Sequence, residues 1–517
     1  MRRAGIFALA AEFRILPSPL NSGQLLTLIE RAIIGLMQTL LDNCFDFAQT
    51  DTALGPLDGR YRSHVAALTN YLSEPALNRS RLLVEVEWLI FLAENQVLKG
   101  VAPFSEEEKS YLRSLIENFG EAEVAELKQI EAETKHDVKA VEYFLQERLR
   151  RAADVLAETA LPRYLAAVHI FCTSEDINNL AYGIGIKGAV EKVWLPQAKK
   201  LVDQLGALAA QAAEVPMLAH THGQPATPVT LGKEMAVFAY RLNRQILRIE
   251  NAEYLGKING ATGTWAAHKV AVPGANWPRL AKSFVEHLGL SWNPLTTQIE
   301  SHDWQSELYS DLARANRIMH NLATDCWSYI SMGYFHQNLA AQGSTGSSTM
   351  PHKVNPIRFE NAEANLEISC ALLETLAQTL VTSRLQRDLT DSSTQRNIGV
   401  AIGHSLLALY NLSGGLGGLD VADQVMADDL DRNWEVLGEA VQQVMRVEGL
   451  AGTPGMDNPY ERLKELTRDS KVDETAMRKF VLSLGLSEEA QARLVALTPQ
   501  TYIGYAPELA TGKLLEN

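Results

Sequence analysis

Residues 341–361 read AQGSTGSSTMPHKVNPIRFEN and hold the densest set of groups able to do chemistry. Gly343, Ser344, Thr345, Gly346, Ser347 and Ser348 combine pliant backbone with hydroxyls and N–H donors. Lys353 adds a cation and Asn355 an amide donor. Pro351 and Pro356 stiffen the exit, and a helix is expected after Pro356, with Glu360 and Glu363 in its first turns. Such groups together suit a bound carboxylate. The plain alternative is a Ser/Gly linker, but a linker has no need of Met-Pro-His-Lys-Val-Asn-Pro between long helices. A second polar segment, RLQRDLTDSSTQR over 384–396, carries Arg387 and Arg396, whose guanidinium forks could clamp a phosphate. Asp388 and Asp391 are interleaved with them, so a salt-bridged surface loop is its alternative. His222 and His220 precede Pro225 and bring imidazoles that titrate near neutrality, or else serve a turn. His136, flanked by Lys135, Asp137 and Lys139, reads by itself as a solvated residue on a charged helix.

The elements that must position these groups are helical. Apolar residues recur at spacings of three and four along Leu231, Met235, Phe238, Leu242, Ile246 and Ile249. The same period runs through Leu308, Leu312, Ala315, Met319, Leu322, Cys326 and Ile330, and through Leu366, Cys370, Leu373, Ala377 and Leu380. Segments this long predict an all-α fold built on a long central helix bundle, with short strands possible near 257–268. Leu161-Pro162 and the NLSGGLGG run over 411–418 break the pattern. They divide the chain into a helical N-terminal domain over 51–160, the bundle over 161–415 and a smaller helical C-terminal domain over 416–517.

Composition narrows the function classes. The chain of 517 residues is 46% hydrophobic and 21% charged, enough apolar surface to offset the entropy of ordering, so wholesale disorder is excluded. Lys and Arg total 47 against 62 Asp and Glu, and a net charge of -15 argues against non-specific nucleic-acid binding. It leaves room for a small anion, because a site is a local charge arrangement. Cys44, Cys172, Cys326 and Cys370 are widely spaced, which fits a reducing cytosol better than a disulfide scaffold or zinc ribbon. No apolar run is long enough for a membrane span. At the N-terminus Arg2 and Arg3 precede a short apolar stretch, which Glu12 and Arg14 interrupt without a clean cleavage site. Leu25, Ile29, Ile33, Met37 and Leu40 then follow a helical period, so an appended amphipathic helix or a wrongly chosen start is expected rather than an export signal.

The run Ser347-Ser348-Thr349-Met350-Pro351-His352-Lys353-Val354-Asn355 matches the Ser-Ser-x-Met-Pro-x-Lys-x-Asn motif of the fumarase/aspartase superfamily. Within it, PLDGRY over 56–61, KHDVKAVEYF over 135–144, CTSEDINNL over 172–180, THGQPATP over 221–228 and QRDLTDS over 386–392 resemble adenylosuccinate lyases, most closely the bacterial branch. The resemblance runs from about residue 54 to the C-terminus and leaves 1–50 outside, as an extension that is disordered or a mis-assigned start. It implies β-elimination of fumarate from adenylosuccinate, giving AMP, and from the succinylated imidazole-carboxamide ribotide SAICAR, giving AICAR, in purine biosynthesis. It implies Ser347 as base, with Ser348 its adjacent competitor, and His222 as general acid supported by His136. His220 stands where family members often carry Arg, a departure that touches local charge tuning.

For substrate binding the resemblance implies Arg60 and Tyr61 at the phosphate-bearing end, joined by Arg387, Ser392 and Arg396. Thr173, Ser174 and Gln298, with Lys353 and Asn355, are implied for the succinyl carboxylates, and Lys135 and Asp137 complete the set. No metal or other cofactor is expected. The family implies a cytoplasmic homotetramer whose sites draw residues from several subunits, with no nucleic-acid or membrane partner. Another fumarate-releasing enzyme, such as argininosuccinate lyase or aspartase, is the near alternative. A catalytically dead helical scaffold is the distant one, and it would have lost Ser347, Lys353 or His222.

Overall fold

The computed structural model describes residues 31, 54–338, 350, 353–467 and 472–513. The helical pattern expected over 24–47 and the serines of the signature motif lie outside the described residues. The chain divides into two units, Met1–Arg62 and Ser63–Asn517. In the first, the Tyr61 N–H donates to the Pro56 carbonyl at 2.9 Å, closing a turn, and the Arg60 guanidinium lies 5.8 Å from the centre of the Tyr61 ring.

The helices then run α1 (Arg62–Leu72), α2 (Glu74–Glu94), α3 (Glu106–Glu117), α4 (Glu121–Thr134) and α5 (Asp137–Arg150). Leu82, Val86, Leu89, Leu112, Leu127, Val141, Phe144 and Leu145 bury a core of their own between these helices. Ser73 caps α2 and Ser105 caps α3, the latter in a reciprocal box with Glu108.

The bundle follows: α6 (Ser174–Ala189), α7 (Leu195–Gln211), α8 (Leu231–Glu250), then α9 (Ala266–Ala271), α10 (Trp277–His287) and α11 (Asp303–Ser331). It continues with α12 (Ile357–Leu380), the short α13 (Thr390–Gln395) and α14 (Ile398–Leu416). Helix α11 packs along α12, α12 along α14, and α8 against α7 and α11. The periodic residues read from the sequence form the seam: Leu231, Met235, Phe238, Leu242, Ile246 and Ile249 of α8 are all buried. So are Leu366, Cys370, Leu373, Ala377 and Leu380 of α12, which starts directly after Pro356 as expected.

Strands are brief antiparallel or parallel pairs at the bundle ends. They are β1 (Pro216–Met217) with β4 (Val229–Thr230), β2 (His220–Thr221) with β3 (Gln224–Pro225), β5 (Leu255–Gly256) with β6 (Ser291–Trp292), and β7 (Phe335–Gln337) with β8 (Leu419–Val421). Among the C-terminal helices, α15 (Asp423–Asp431) packs against β1, while α16 (Gly438–Leu450), α17 (Pro459–Thr467), α18 (Glu474–Ser483) and α19 (Glu488–Ala496) surround a further apolar cluster of Leu437, Val441, Met445, Met477 and Val481. The final α20 (Ala506–Ala510) packs back on α8.

Candidate active site

The break between α4 and α5 places the first polar group. Lys135 takes a left-handed φ of 55°, which ends α4, and His136 is extended and caps α5 rather than lying on a charged helix face. Its Nδ1 accepts the Lys139 N–H at 3.3 Å. That bond needs an unprotonated Nδ1 and leaves the proton of a neutral ring on Nε2. The His136 side chain is 52% exposed, so it can meet a ligand.

Asp137, next in line, starts a run of linked side chains. Its Oδ2 takes Arg81 Nη2 at 2.8 Å and Arg396 Nη2 at 3.3 Å. Burial pushes the Asp137 carboxyl up, but the charge of Arg81, the Val138 N–H and the charge of Arg396 outweigh it and hold the group below the usual carboxylate range. Arg81 Nε donates to Asn178 Oδ1 at 2.9 Å, and Asn178 Nδ2 donates to Glu175 Oε1 at 2.8 Å. Arg387 Nη2 pairs with the same Glu175 oxygen at 3.0 Å, while its Nη1 donates to Gln298 Oε1 at 3.3 Å. Gln298 Nε2 in turn donates to the Ala261 carbonyl at 2.9 Å. The run thus joins α5, α2, the N-terminal turn of α6, the segment before α13 and the loop before α11. Thr173 caps α6 and Ser174 is its first residue, so both sit at the positive end of a helix dipole. Ser392 lies in α13, its N–H held by Asp391 Oδ1 at 2.7 Å.

Of the residues singled out from the sequence, Lys135, His136, Asp137, Thr173, Ser174, Gln298, Arg387, Ser392 and Arg396 share this region. The two arginines do not pair with each other: Arg387 sits with Glu175 and Gln298, Arg396 with Asp137 and, at 3.9 Å, Glu74. His222 is elsewhere, at the tip of the β2–β3 hairpin, where His222 and Gly223 take φ of 54° and 73°. Positive φ at both central residues is what a two-residue type I′ turn requires. Both His220 and His222 are exposed. Lys353 and Asn355 precede α12, with the Val354 carbonyl held by Gln337 Nε2 at 2.9 Å. Among the described residues no hydrogen bond or ion pair joins this hairpin, or Lys353 and Asn355, to the Asp137–Gln298 run. Arg60 and Tyr61 belong to the first unit.

Residues 59–368 match the family described as Lyase, and residues 383–503 the family described as Adenylosuccinate lyase C-terminal. The adenylosuccinate lyase of Haemophilus influenzae is 46% identical over 460 residues, covering 89% of this chain and 98% of that protein. That of Escherichia coli K12 is 47% identical over 455 residues, covering 88% and 97%. The chain belongs to the adenylosuccinate lyase family. Among solved structures, a fumarate lyase from Mesorhizobium sp. BNC1 superposes with a TM-score of 0.68 at 19% identity, over 87% of this chain and 97% of that one. The 3-carboxy-cis,cis-muconate lactonizing enzyme of Pseudomonas putida gives 0.68 at 21%, over 88% and 98%. At such identities these two share the fold, which places this adenylosuccinate lyase family member on the all-α lyase scaffold.

Sequence reasoning missed Arg81, Glu175 and Asn178, the side chains that connect the site residues. Arg81 looks like any charged residue on an amphipathic helix. Glu175 and Asn178 carried a signal: they lie in the polar opening of α6, SEDINN, which becomes buried. A polar helix start that goes into a core needs partners, and those partners mark the site.

Proposed function

We propose that this chain cleaves adenylosuccinate to AMP and fumarate, and SAICAR to AICAR and fumarate, in purine nucleotide biosynthesis. The base takes a proton from the carbon beside a succinyl carboxylate. The resulting electron pair forms the C=C bond of fumarate as the C–N bond breaks, and the nitrogen leaves with a proton from the acid. The carbon acid is weak, so the dianion that develops needs cations and N–H donors around it. Ser347 is the base and His222 the acid, with His136 in support. Thr173, Ser174, Gln298, Lys353 and Asn355 hold the carboxylates. Arg60, Tyr61, Arg387, Ser392 and Arg396 take the phosphate-bearing end, and Lys135 and Asp137 frame it.

The observation that carries this reading is the Asp137–Gln298 run, which gathers three family-like segments, 135–144, 172–180 and 386–392, around one helix N-terminus. A homotetramer accounts for the rest. Among the described residues His222 and the residues before α12 make no bond to that run within one chain, and neighbouring subunits supply them in trans. Val237, Tyr240 and Leu247 form an exposed apolar face on α8 opposite its buried seam, and Trp327 and Ile368 are exposed on α11 and α12, as helices awaiting a second copy would be. A cytoplasmic location belongs to the same reading; no described helix is long and apolar enough to cross a membrane.

Incubation with adenylosuccinate, with fumarate followed by absorbance and AMP by chromatography, tests the activity. Equal yields of both are expected. Release of fumarate from argininosuccinate alone would move the chain to the near alternative, and a folded tetramer without turnover would make it a scaffold.

A further inference from the structure

Lys257 and Asp176 form an ion pair of 2.9 Å in which both side chains have 0% exposure. Neither can touch a substrate. Such burial costs several kcal/mol of lost hydration, and a well-packed apolar pair often does as well for stability. What distinguishes this pair is what it ties down. Asp176 Oδ2 accepts the Thr173 N–H at 2.9 Å and the Gly260 N–H at 3.1 Å, and its Oδ1 accepts the Asn259 N–H at 2.9 Å. Asn179 brackets Lys257 from the next turn of α6, accepting its N–H at 2.8 Å and donating to its carbonyl at 3.0 Å. Beyond the pair, Asn259 Nδ2 donates to Thr296 Oγ1 at 2.8 Å, and the Ala261 carbonyl holds Gln298. Gly263 is what lets the two loops meet: it has φ +74°, and a Cβ there would lie 2.3 Å from the Thr296 carbonyl.

From this connectivity we infer that Lys257 and Asp176 are positioning residues that set the distance between the start of α6, with Thr173 and Ser174, and Gln298 across the site. The inference rests on the reading that these groups hold the succinyl carboxylates. It predicts an effect confined to that end of the substrate. Loss of the Lys257 charge leaves Asp176 to pull its N–H donors differently, and small misplacements of binding groups are felt strongly.

The test uses product inhibition in the full-length enzyme, with fumarate reporting the succinyl end and AMP the nucleotide end. In Lys257→Met the fumarate inhibition constant is expected to rise about tenfold while that of AMP moves less than about twofold. Thr296→Val removes the Asn259 link together with the local Thr296 Oγ1 bond to the Thr297 carbonyl at 3.1 Å, leaves the buried pair intact, and is expected to give the same selectivity at about two- to fivefold. It decides the matter if Lys257→Met does not fold. Equal changes in both constants, or none in a folded variant, overturn the inference. Ser174→Ala is the control on the underlying reading: if it weakens fumarate while the Lys257 and Thr296 variants do not, the inference alone falls. If Ser174→Ala leaves fumarate inhibition unchanged, the succinyl assignment falls and takes the inference with it.

Discussion

Both ring nitrogens of His268 are buried without a hydrogen-bond partner, and the ring stacks on Phe171 at 4.9 Å and meets Trp277 edge-on at 4.7 Å. Burial depresses its pKa to about 4, against the opposing pull of Asp176. The unfolded chain therefore binds the extra proton between about pH 4 and 6.5, and stability falls as pH drops through that window. His268→Phe keeps the ring contacts and removes the titration. The variant should gain on the order of 2–3 kcal/mol over wild type at pH 4.5 relative to pH 7 in urea denaturation. His169 works the other way. Burial lowers it, but Glu85 and Glu142 more than offset this and raise its pKa, so its contribution is lost as pH rises through the raised value. Comparing variant with wild type at each pH cancels that slope. At the site itself, Asp137→Asn removes the charge shared by Arg81 and Arg396. A loss of about 2 kcal/mol in stability is expected, because Arg81 keeps Asn78 and Asn178 as partners. A rise in KM for adenylosuccinate should accompany it, read from steady-state kinetics.

Between elements, a buried polar chain sets how the bundle helices slide against each other. Trp194 Nε1 donates to Ser405 Oγ at 2.8 Å, Ser405 to Asn316 Oδ1 at 2.6 Å, Asn316 Nδ2 to Ser369 Oγ at 2.9 Å, and Ser369 to the Ala401 carbonyl at 2.7 Å. It links α11, α12 and α14 at one level. Asn316→Leu would strand Ser405, whose only acceptor in this chain of bonds is Asn316, and deprive Ser369 of a donor. A cost of about 2–4 kcal/mol by chemical denaturation is expected, more than the removed bonds are worth, because the remaining partners stay buried. The helical periodicity that the sequence displays could not reveal this chain, since Asn316, Ser369 and Ser405 read as ordinary polar interruptions. The β2–β3 hairpin makes the opposite point: its two-residue turn with His222 and Gly223 is local, and the sequence offered a turn before Pro225 as one of two readings of His222. Gly223→Ala would strain a φ of 73° by about 1 kcal/mol. It should lower kcat through His222 while barely moving the melting temperature.

For the whole molecule, the proposed supply of His222 by a neighbouring subunit makes a specific demand. Ser347→Ala and His222→Ala variants, each expected to be inactive alone, should recover activity when mixed under conditions of confirmed subunit exchange, because in the proposed tetramer hybrid sites would pair intact partners from different chains. No recovery would place every catalytic group in one chain. Residues 1–50 lie before the family match that begins at 59, so a chain starting at residue 51 is expected to turn over adenylosuccinate at the full-length rate, as checked by the same fumarate assay.

The three long periodic helices, the start of α12 after Pro356 and the family itself could be determined from the sequence alone, and at His222 it offered a turn as one of two readings. Each rests on local physics: a 3.6-residue period, a proline that cannot continue a helix, a motif contiguous in the chain. Only the tertiary structure decided that His136 is a cap rather than a solvated helix residue. It alone joined Asp137 to Gln298 through Arg81, Asn178, Glu175 and Arg387, and sealed Lys257 against Asp176. Apart from Asn178 and Glu175, three residues apart, those partners lie tens to hundreds of residues apart, and a buried charge or amide finds its partner by packing, which no spacing along the chain records.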